Sequence, residues 1–218
     1  MGFLPILTLM FIFVLFLAFR YRSTSRKMTE SEDAFYRREI EANSTVRTDI
    51  DLNSLDYLTI PMDKFPSDSK GNMEMSKALD ELNALKDKRI LNLTKMSNTD
   101  LKLEYGRNHL DEMQAIGENY VQLSILIVTI AEILYEAGEY NDAARILEYG
   151  IATKTDINKN YMLLADCYNM LGSTRQLTEL REQVPTMGLT LERNILSHID
   201  DLIKSSSSTP SENFPTEN

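Results

Sequence analysis

The feature that most constrains the fold is a repeat with a period of 34 residues in the second half of the chain. Three residues have an identical or similarly large counterpart at this distance: Ala131 matches Ala165, Leu134 matches Tyr168 and Gly138 matches Gly172. Helical-hairpin repeats produce such a period, because each hairpin needs small residues at its helix crossing, large apolar residues at helical spacing and a glycine at its turn. The pattern predicts an all-α domain of stacked hairpins. The alternative is a plain helical bundle in which the echo arises by chance.

The first copy resembles the tetratricopeptide (TPR) repeat. From residue 131 to 150 it reads Ala-Glu-Ile-Leu-Tyr-Glu-Ala-Gly-Glu-Tyr-Asn-Asp-Ala-Ala-Arg-Ile-Leu-Glu-Tyr-Gly. The resemblance implies a short array with repeats at about 124–157 and 158–188 and a capping helix at 190–204. The second copy departs from the pattern in its second helix, at Thr174, Leu177 and Arg181. Since TPR units usually hold partners, the resemblance implies a binding protein.

Residues 1–21 predict a transmembrane helix. The run from Phe3 to Phe19 has Thr8 as its only polar residue, and its extension to Tyr21 gives about 28 Å of helix, enough to cross a bilayer. A cleavable signal peptide is the alternative, but no basic side chain precedes the run and the residues after it form a poor cleavage site. We therefore interpret the segment as a retained membrane anchor.

Basic residues flank only the exit from this run, namely Arg20, Arg22, Arg26 and Lys27. The positive-inside rule then places the rest of the chain in the cytoplasm. The expected location is a cell membrane, crossed once, with a cytoplasmic C-terminal domain. The single cysteine, Cys167, allows no internal disulfide, in agreement with a reducing compartment.

The charge of the remaining chain argues against nucleic acid as a partner. Residues 28–218 carry 19 basic and 33 acidic side chains. Duplex binding depends on cations that meet phosphates, so a domain this acidic is a poor candidate.

Residues 22–70 are predicted to form a short juxtamembrane helix, from Thr29 to Glu41, and then an extended linker, because Pro61 and Pro66 disfavour helix. The linker is too apolar for a plain spacer. We call residues 55–61 the strap, and its apolar members are Leu55, Tyr57, Leu58 and Ile60. Three interpretations are open: the strap docks on its own helical domain, it is a motif for another protein, or it is an unstructured linker.

The helical domain is predicted over 71–204 and a disordered tail over 205–218. One helix is expected from Met73 to Asp87, and Ser97 is expected to cap a short helix that ends at Tyr105. The pattern from 107 to 137 is helical, and the sequence leaves open whether Gly117 breaks it.

Two stretches also resemble segments of short membrane-anchored proteins of Gram-positive bacteria that carry no assigned function. They are Leu-Asp-Tyr-Leu-Thr-Ile-Pro at 55–61 and Ile-Leu-Asn-Leu-Thr-Lys-Met-Ser-Asn-Thr-Asp-Leu-Lys-Leu-Glu-Tyr-Gly at 90–106. This resemblance implies that the protein is located in a bacterial cytoplasmic membrane, and it implies no particular activity.

No catalytic, cofactor or metal site is predicted, and the chain is not expected to be an enzyme. His109 and His198 fall in separate predicted helices without metal-ligand spacing. Cys167 follows Asp166, whereas a nucleophilic thiolate needs a cationic neighbourhood.

The TPR resemblance implies a groove lined by the first helix of each repeat. Its predicted partner-binding residues are Val128, Glu132, Tyr135, Glu136, Met162, Asp166 and Asn169. Some TPR proteins bind a C-terminal carboxylate through Lys and Asn at defined groove positions. Here those positions hold Val128, Glu132, Met162 and Asp166, so that mode of binding is not expected. The mixture of apolar and acidic groups suits a basic or amphipathic segment of a protein partner. The alternative is that these are ordinary solvent-facing or self-packed residues.

The leading hypothesis is a membrane-tethered helical-repeat adaptor that binds a protein at the cytoplasmic face without catalysis. The alternative is a structural subunit or assembly factor of a membrane protein complex. The apolar run gives that alternative little support, because it has no small-xxx-small pattern and no charge within it.

Overall fold

The computed structural model describes residues 31–207, and within this range it is all helical, without strands. The all-α prediction is thereby confirmed for the described residues. Their helices are α1 (31–44), α2 (Met73–Leu85), α3 (Asn98–Tyr105), α4 (Leu110–Glu136), α5 (Tyr140–Ala152), α6 (Asn158–Met170), α7 (Thr174–Gln183) and α8 (Glu192–Ser207). Short 3-10 turns occupy Leu52–Ser54, Met62–Lys64, Arg107–His109 and Val184–Thr186.

The described chain divides into two compact units. The first contains residues 31–50 and Met96–Met113, and the second contains Asp51–Lys95 and the chain from Gln114 onward. In the first unit, α3 begins with the predicted cap: the side chain of Ser97 accepts a hydrogen bond from the Asp100 amide, and the Asp100 carboxylate accepts one from the Ser97 amide. This capping box satisfies two amides that the helix itself cannot pair.

In the second unit, the helix ends repeat with the period of the sequence. Gly138 and Gly172 both have positive φ, 80° and 65°. After α4 the Glu139 amide donates to the Leu134 carbonyl, and after α6 the Ser173 amide donates to the Tyr168 carbonyl, each at 2.8 Å. Glycine is favoured at such left-handed positions because it has no Cβ. The two turns are therefore built in the same way.

A second pair of turns, one after α5 and one after α7, also repeats with this period. After α5 the backbone turns through Lys154, with φ 62°, and 34 residues later it turns through Gly188, with φ 66°. Three small residues of the repeat region, Ala131, Ala143 and Ala165, are fully buried. Small side chains at a contact between helices allow their backbones to approach closely.

α4 forms one unbroken helix through Gly117. Taken from Arg107 to Glu136 it is long and apolar enough to cross a membrane, but half of its most apolar window is buried inside the protein. The core helix of a water-soluble protein passes the same test, and Leu123, Ile127 and Ile130 are buried here. This is weak evidence for a membrane span, and it is not the segment predicted from the sequence. The predicted anchor, residues 1–21, lies outside the described residues.

The strap lies on the second unit. The Leu58 amide donates to the Ile90 carbonyl at 2.9 Å, and the Tyr149 hydroxyl of α5 donates to the Thr59 carbonyl at 3.0 Å. Ile60 is buried in the hydrophobic core, and Leu58 packs against that core. Just beyond the strap, the buried Phe65 ring meets Tyr149 edge-on. Of the three interpretations left open, the structure has the strap docked on its own domain.

The last helix, α8, packs on α6 and α7 through the buried Ile195 and Ile199. It begins at Glu192, which is 34 residues after the first residue of α6. It also continues to Ser207, so residues 205–207, which were assigned to the tail, are helical. Residues 208–218 lie outside the described range.

Candidate functional site

Polar contacts connect α4, α6 and α8 in that order. Lys159 of α6 forms an ion pair with Glu132 of α4. Asp166 of α6 lies 2.7 Å, Oδ1 to Nε2, from His198 of α8. We call the surface around these pairs the α4–α6–α8 face. Its residues are Ile125, Glu132, Tyr135, Glu136, Lys159, Met162, Asp166, Asn169, Met170 and His198.

On α4, the structure separates the predicted binding residues by exposure. Val128 is buried and offers no surface to a partner. Tyr135 is half-buried, and its ring meets that of Tyr140 edge-on at 5.1 Å between centroids. Glu132 is held by Lys159, whereas Glu136 is exposed. Glu136 is therefore the clearest acidic contact point of this helix.

On α6, the predicted residues lie together but are partly engaged. Met162 packs against the hydrophobic core, and Asn169 is half-buried. Asp166 is paired with His198, a residue that the sequence pattern assigns to no site. The 34-residue step from α6 to the start of α8 was the signal that could have placed His198 next to this helix.

Two exposed apolar side chains also belong to this face, at positions that the repeat pattern assigns to the groove. Ile125 lies two turns before Glu132 on the same side of α4, and Met170 lies one turn after Asp166 on α6; each is about half exposed. Burying such side chains against a partner is favourable, since each removes apolar area from water. These two residues are the strongest hydrophobic contact points of the face.

Two observations concern metal-binding and nucleophilic groups among the described residues. These residues contain no cluster of three or more His, Cys, Asp or Glu side chains that could hold a metal ion. Burial, together with neighbouring Asp166, raises the pKa of the Cys167 thiol to about 12. A thiol with that pKa is protonated at neutral pH, so Cys167 is a packing residue.

One cleft of about 370 Å³ lies among α5, α6 and α7. Leu164, Ile151 and Leu180 supply apolar lining, and Glu148 and Glu179 supply acidic groups. The Tyr168 hydroxyl donates to Glu148 at 2.8 Å. The described side chains that line this cleft include no histidine, cysteine, lysine or arginine.

Comparisons of the chain with models of known protein families, with curated proteins and with solved structures give no match.

Proposed function

We propose that this protein is a membrane-tethered adaptor of TPR-like helical hairpins, which binds a protein partner at the cytoplasmic face and carries out no catalysis. The observation that carries this proposal is the exposure of Ile125 and Met170 beside the acidic residues of the α4–α6–α8 face. The matched turns at Gly138 and Gly172 support the repeat architecture.

The chemistry of the face favours an amphipathic, basic segment. Ile125 and Met170 would contact its apolar side, and Glu136 would attract its cations. Glu132 and Asp166 already have intramolecular partners, Lys159 and His198. Because all four of these side chains are partly exposed, a Lys or Arg of the partner can replace the internal partner of either carboxylate at modest cost.

Site-specific photocrosslinking in the full chain tests this function. A photoreactive residue at Ile125 or at Met170 should capture the same protein, because both positions belong to one binding face. The matched control is Met73 on α2, which is apolar and 87% exposed but lies outside this face. Equal capture from Met73, or no capture from Ile125 and Met170, would contradict the proposal. Capture only from positions within residues 3–19 would favour the alternative, a subunit or assembly factor of a membrane complex.

A charge reversal sharpens the same test. Glu136→Lys should slow association with the captured protein and weaken its salt dependence, because exposed charges at an interface mainly steer encounter. Glu136 has no ion pair among the described residues, so its reversal leaves the fold intact. Reversing Glu132 or Asp166 would instead break an internal pair.

The membrane topology has its own experiment. A protease added outside intact cells should leave the chain beyond Lys27 uncut, since the four basic residues after the apolar run place it inside. Permeabilised cells are the control, and there the domain should be digested. Cleavage in intact cells, or a mature N-terminus beyond residue 19, would overturn the anchor and its orientation.

A further inference from the structure

The helix α1 exposes an apolar patch of three large side chains within six residues. Phe35, Tyr36 and Ile40 are 60%, 63% and 69% exposed, respectively. The first two rings contact each other edge-on, with centroids 5.9 Å apart. Exposed hydrophobic groups that cluster in this way mark an interaction surface more often than scattered ones do.

α1 is held against α3 by polar contacts that lie next to this patch on the helix surface. Lys102 of α3 donates to the Glu39 carboxylate at 2.7 Å, and the Thr99 hydroxyl donates to the same carboxylate at 2.6 Å. Arg38 forms an ion pair with Asp100. A surface helix normally turns its apolar side to the protein and its polar side to water. In α1 the contacts with α3 are polar, while Phe35, Tyr36 and Ile40 stay exposed beside them, so another surface can cover these three side chains.

The sequence before α1 indicates what covers the patch. The apolar run from Phe3 to Phe19 and the basic residues up to Lys27 come just before it. Phe35 follows Lys27 by eight residues, which span at most about 28 Å when fully extended. If the apolar run is anchored in a membrane, α1 cannot leave the vicinity of that membrane.

The distribution of charge along the chain is consistent with contact between α1 and a lipid surface. Residues 20–44 carry six basic and five acidic side chains, whereas residues 45–218 carry 17 basic and 28 acidic ones. An anionic leaflet repels the second set but does not repel the first. Aromatic side chains also favour the headgroup region, where an apolar ring and a polar hydroxyl such as that of Tyr36 are both accommodated.

We propose that Phe35, Tyr36 and Ile40 of α1 insert into the headgroup region of the membrane in which the N-terminal segment is anchored. The lipid surface is the ligand of this patch, and α1 lies along it as an interfacial helix. The inference rests on the proposed membrane anchor. Its consequence is that α1 and α3, held together by Glu39 and Lys102, form a base at the membrane surface.

A single tryptophan tests the inference, because the chain contains no Trp of its own. The full chain with Phe35→Trp is reconstituted into vesicles of phosphatidylcholine and phosphatidylglycerol, with or without lipids brominated near the headgroups. We expect blue-shifted Trp emission and its loss with the brominated lipids. Met73→Trp, at an exposed site on α2, is the control and should show red-shifted emission without quenching.

The outcomes separate this inference from the anchor proposal. If the protein floats with the vesicles but Phe35→Trp emits as in water, the patch is not in the membrane and only this inference falls. Blue-shifted emission that brominated lipids do not quench would mean that protein, either a second copy or a partner, covers α1, and would also overturn it. If the full chain fails to float with vesicles, the anchor proposal falls and takes this inference with it.

Adding Ile40→Glu to the Phe35→Trp variant should shift its emission back toward the red, because a buried carboxylate opposes insertion.

Discussion

The simultaneous replacement of Leu55, Leu58 and Ile60 by Ser should lower the free energy of unfolding by about 4 kcal/mol. A fully buried aliphatic side chain contributes roughly 1.5 to 3 kcal/mol, and a half-buried one about half as much. Ile60 is buried and the two leucines are half-buried in the docked strap. For a chain of this length the loss corresponds to a fall of roughly 10 °C in melting temperature. Thermal and denaturant unfolding of the full chain in detergent measure it.

The control changes the strap at its exposed positions. Asp56→Ser and Thr59→Ser alter side chains that face solvent, while the Thr59 carbonyl still accepts from Tyr149. This double variant should stay within about 0.5 kcal/mol of the parent. An unchanged melting temperature for the triple variant would show that the strap is not docked in solution and would restore its interpretation as a motif for another protein.

Local signals made much of the fold predictable. Gly138 and Gly172 mark turns because a left-handed backbone conformation favours glycine, and Ser97 with Asp100 marks a helix start because both side chains satisfy free amides. The equivalent turn at Lys154 escaped prediction, since lysine is not typical of that conformation. It becomes recognisable only when Gly188 is found at the same backbone angle 34 residues later.

The candidate site was less predictable, because burial and ion pairing depend on which helix packs beside which. Helical spacing put Val128 and Glu132 on one side of α4, but it could not show that neighbouring elements cover the first and that Lys159 holds the second. The Asp166–His198 contact likewise joins residues 32 positions apart. Two carboxylates of the expected acidic groove are therefore already engaged by internal partners, and the exposed groups of the face are Glu136, Ile125 and Met170.

The contact between Gly150 and Asn160 fixes how closely α5 and α6 approach. Asn160 is fully buried, and its side-chain amide donates to the Leu147 carbonyl at 3.0 Å. A Cβ on residue 150 would lie 2.3 Å from Asn160 Oδ1, far inside contact distance. The neighbouring oxygen has no hydrogen-bond partner in the described structure and lies directly against the glycine. Glycine is thus required at this position by the asparagine of the next helix.

Gly150→Ala should therefore destabilise the protein by about 3 kcal/mol, because it overpacks the contact, at about 1 to 3 kcal/mol, and displaces a buried hydrogen-bonded amide, at a similar cost. The matched control is Gly117→Ala in α4, where the nearest atom to the new Cβ is 3.5 Å away. There the better helix propensity of alanine should leave stability unchanged or raise it by up to about 1 kcal/mol.

A double-mutant cycle then tests the cause. Asn160→Ala removes both the clash and the hydrogen bond, so in that background Gly150→Ala should cost far less, with a coupling energy of about 1 to 3 kcal/mol. Urea unfolding of the four proteins gives this coupling directly. Additive losses would mean that the cost of Gly150→Ala arises elsewhere, and that the α5–α6 approach is not set by this pair.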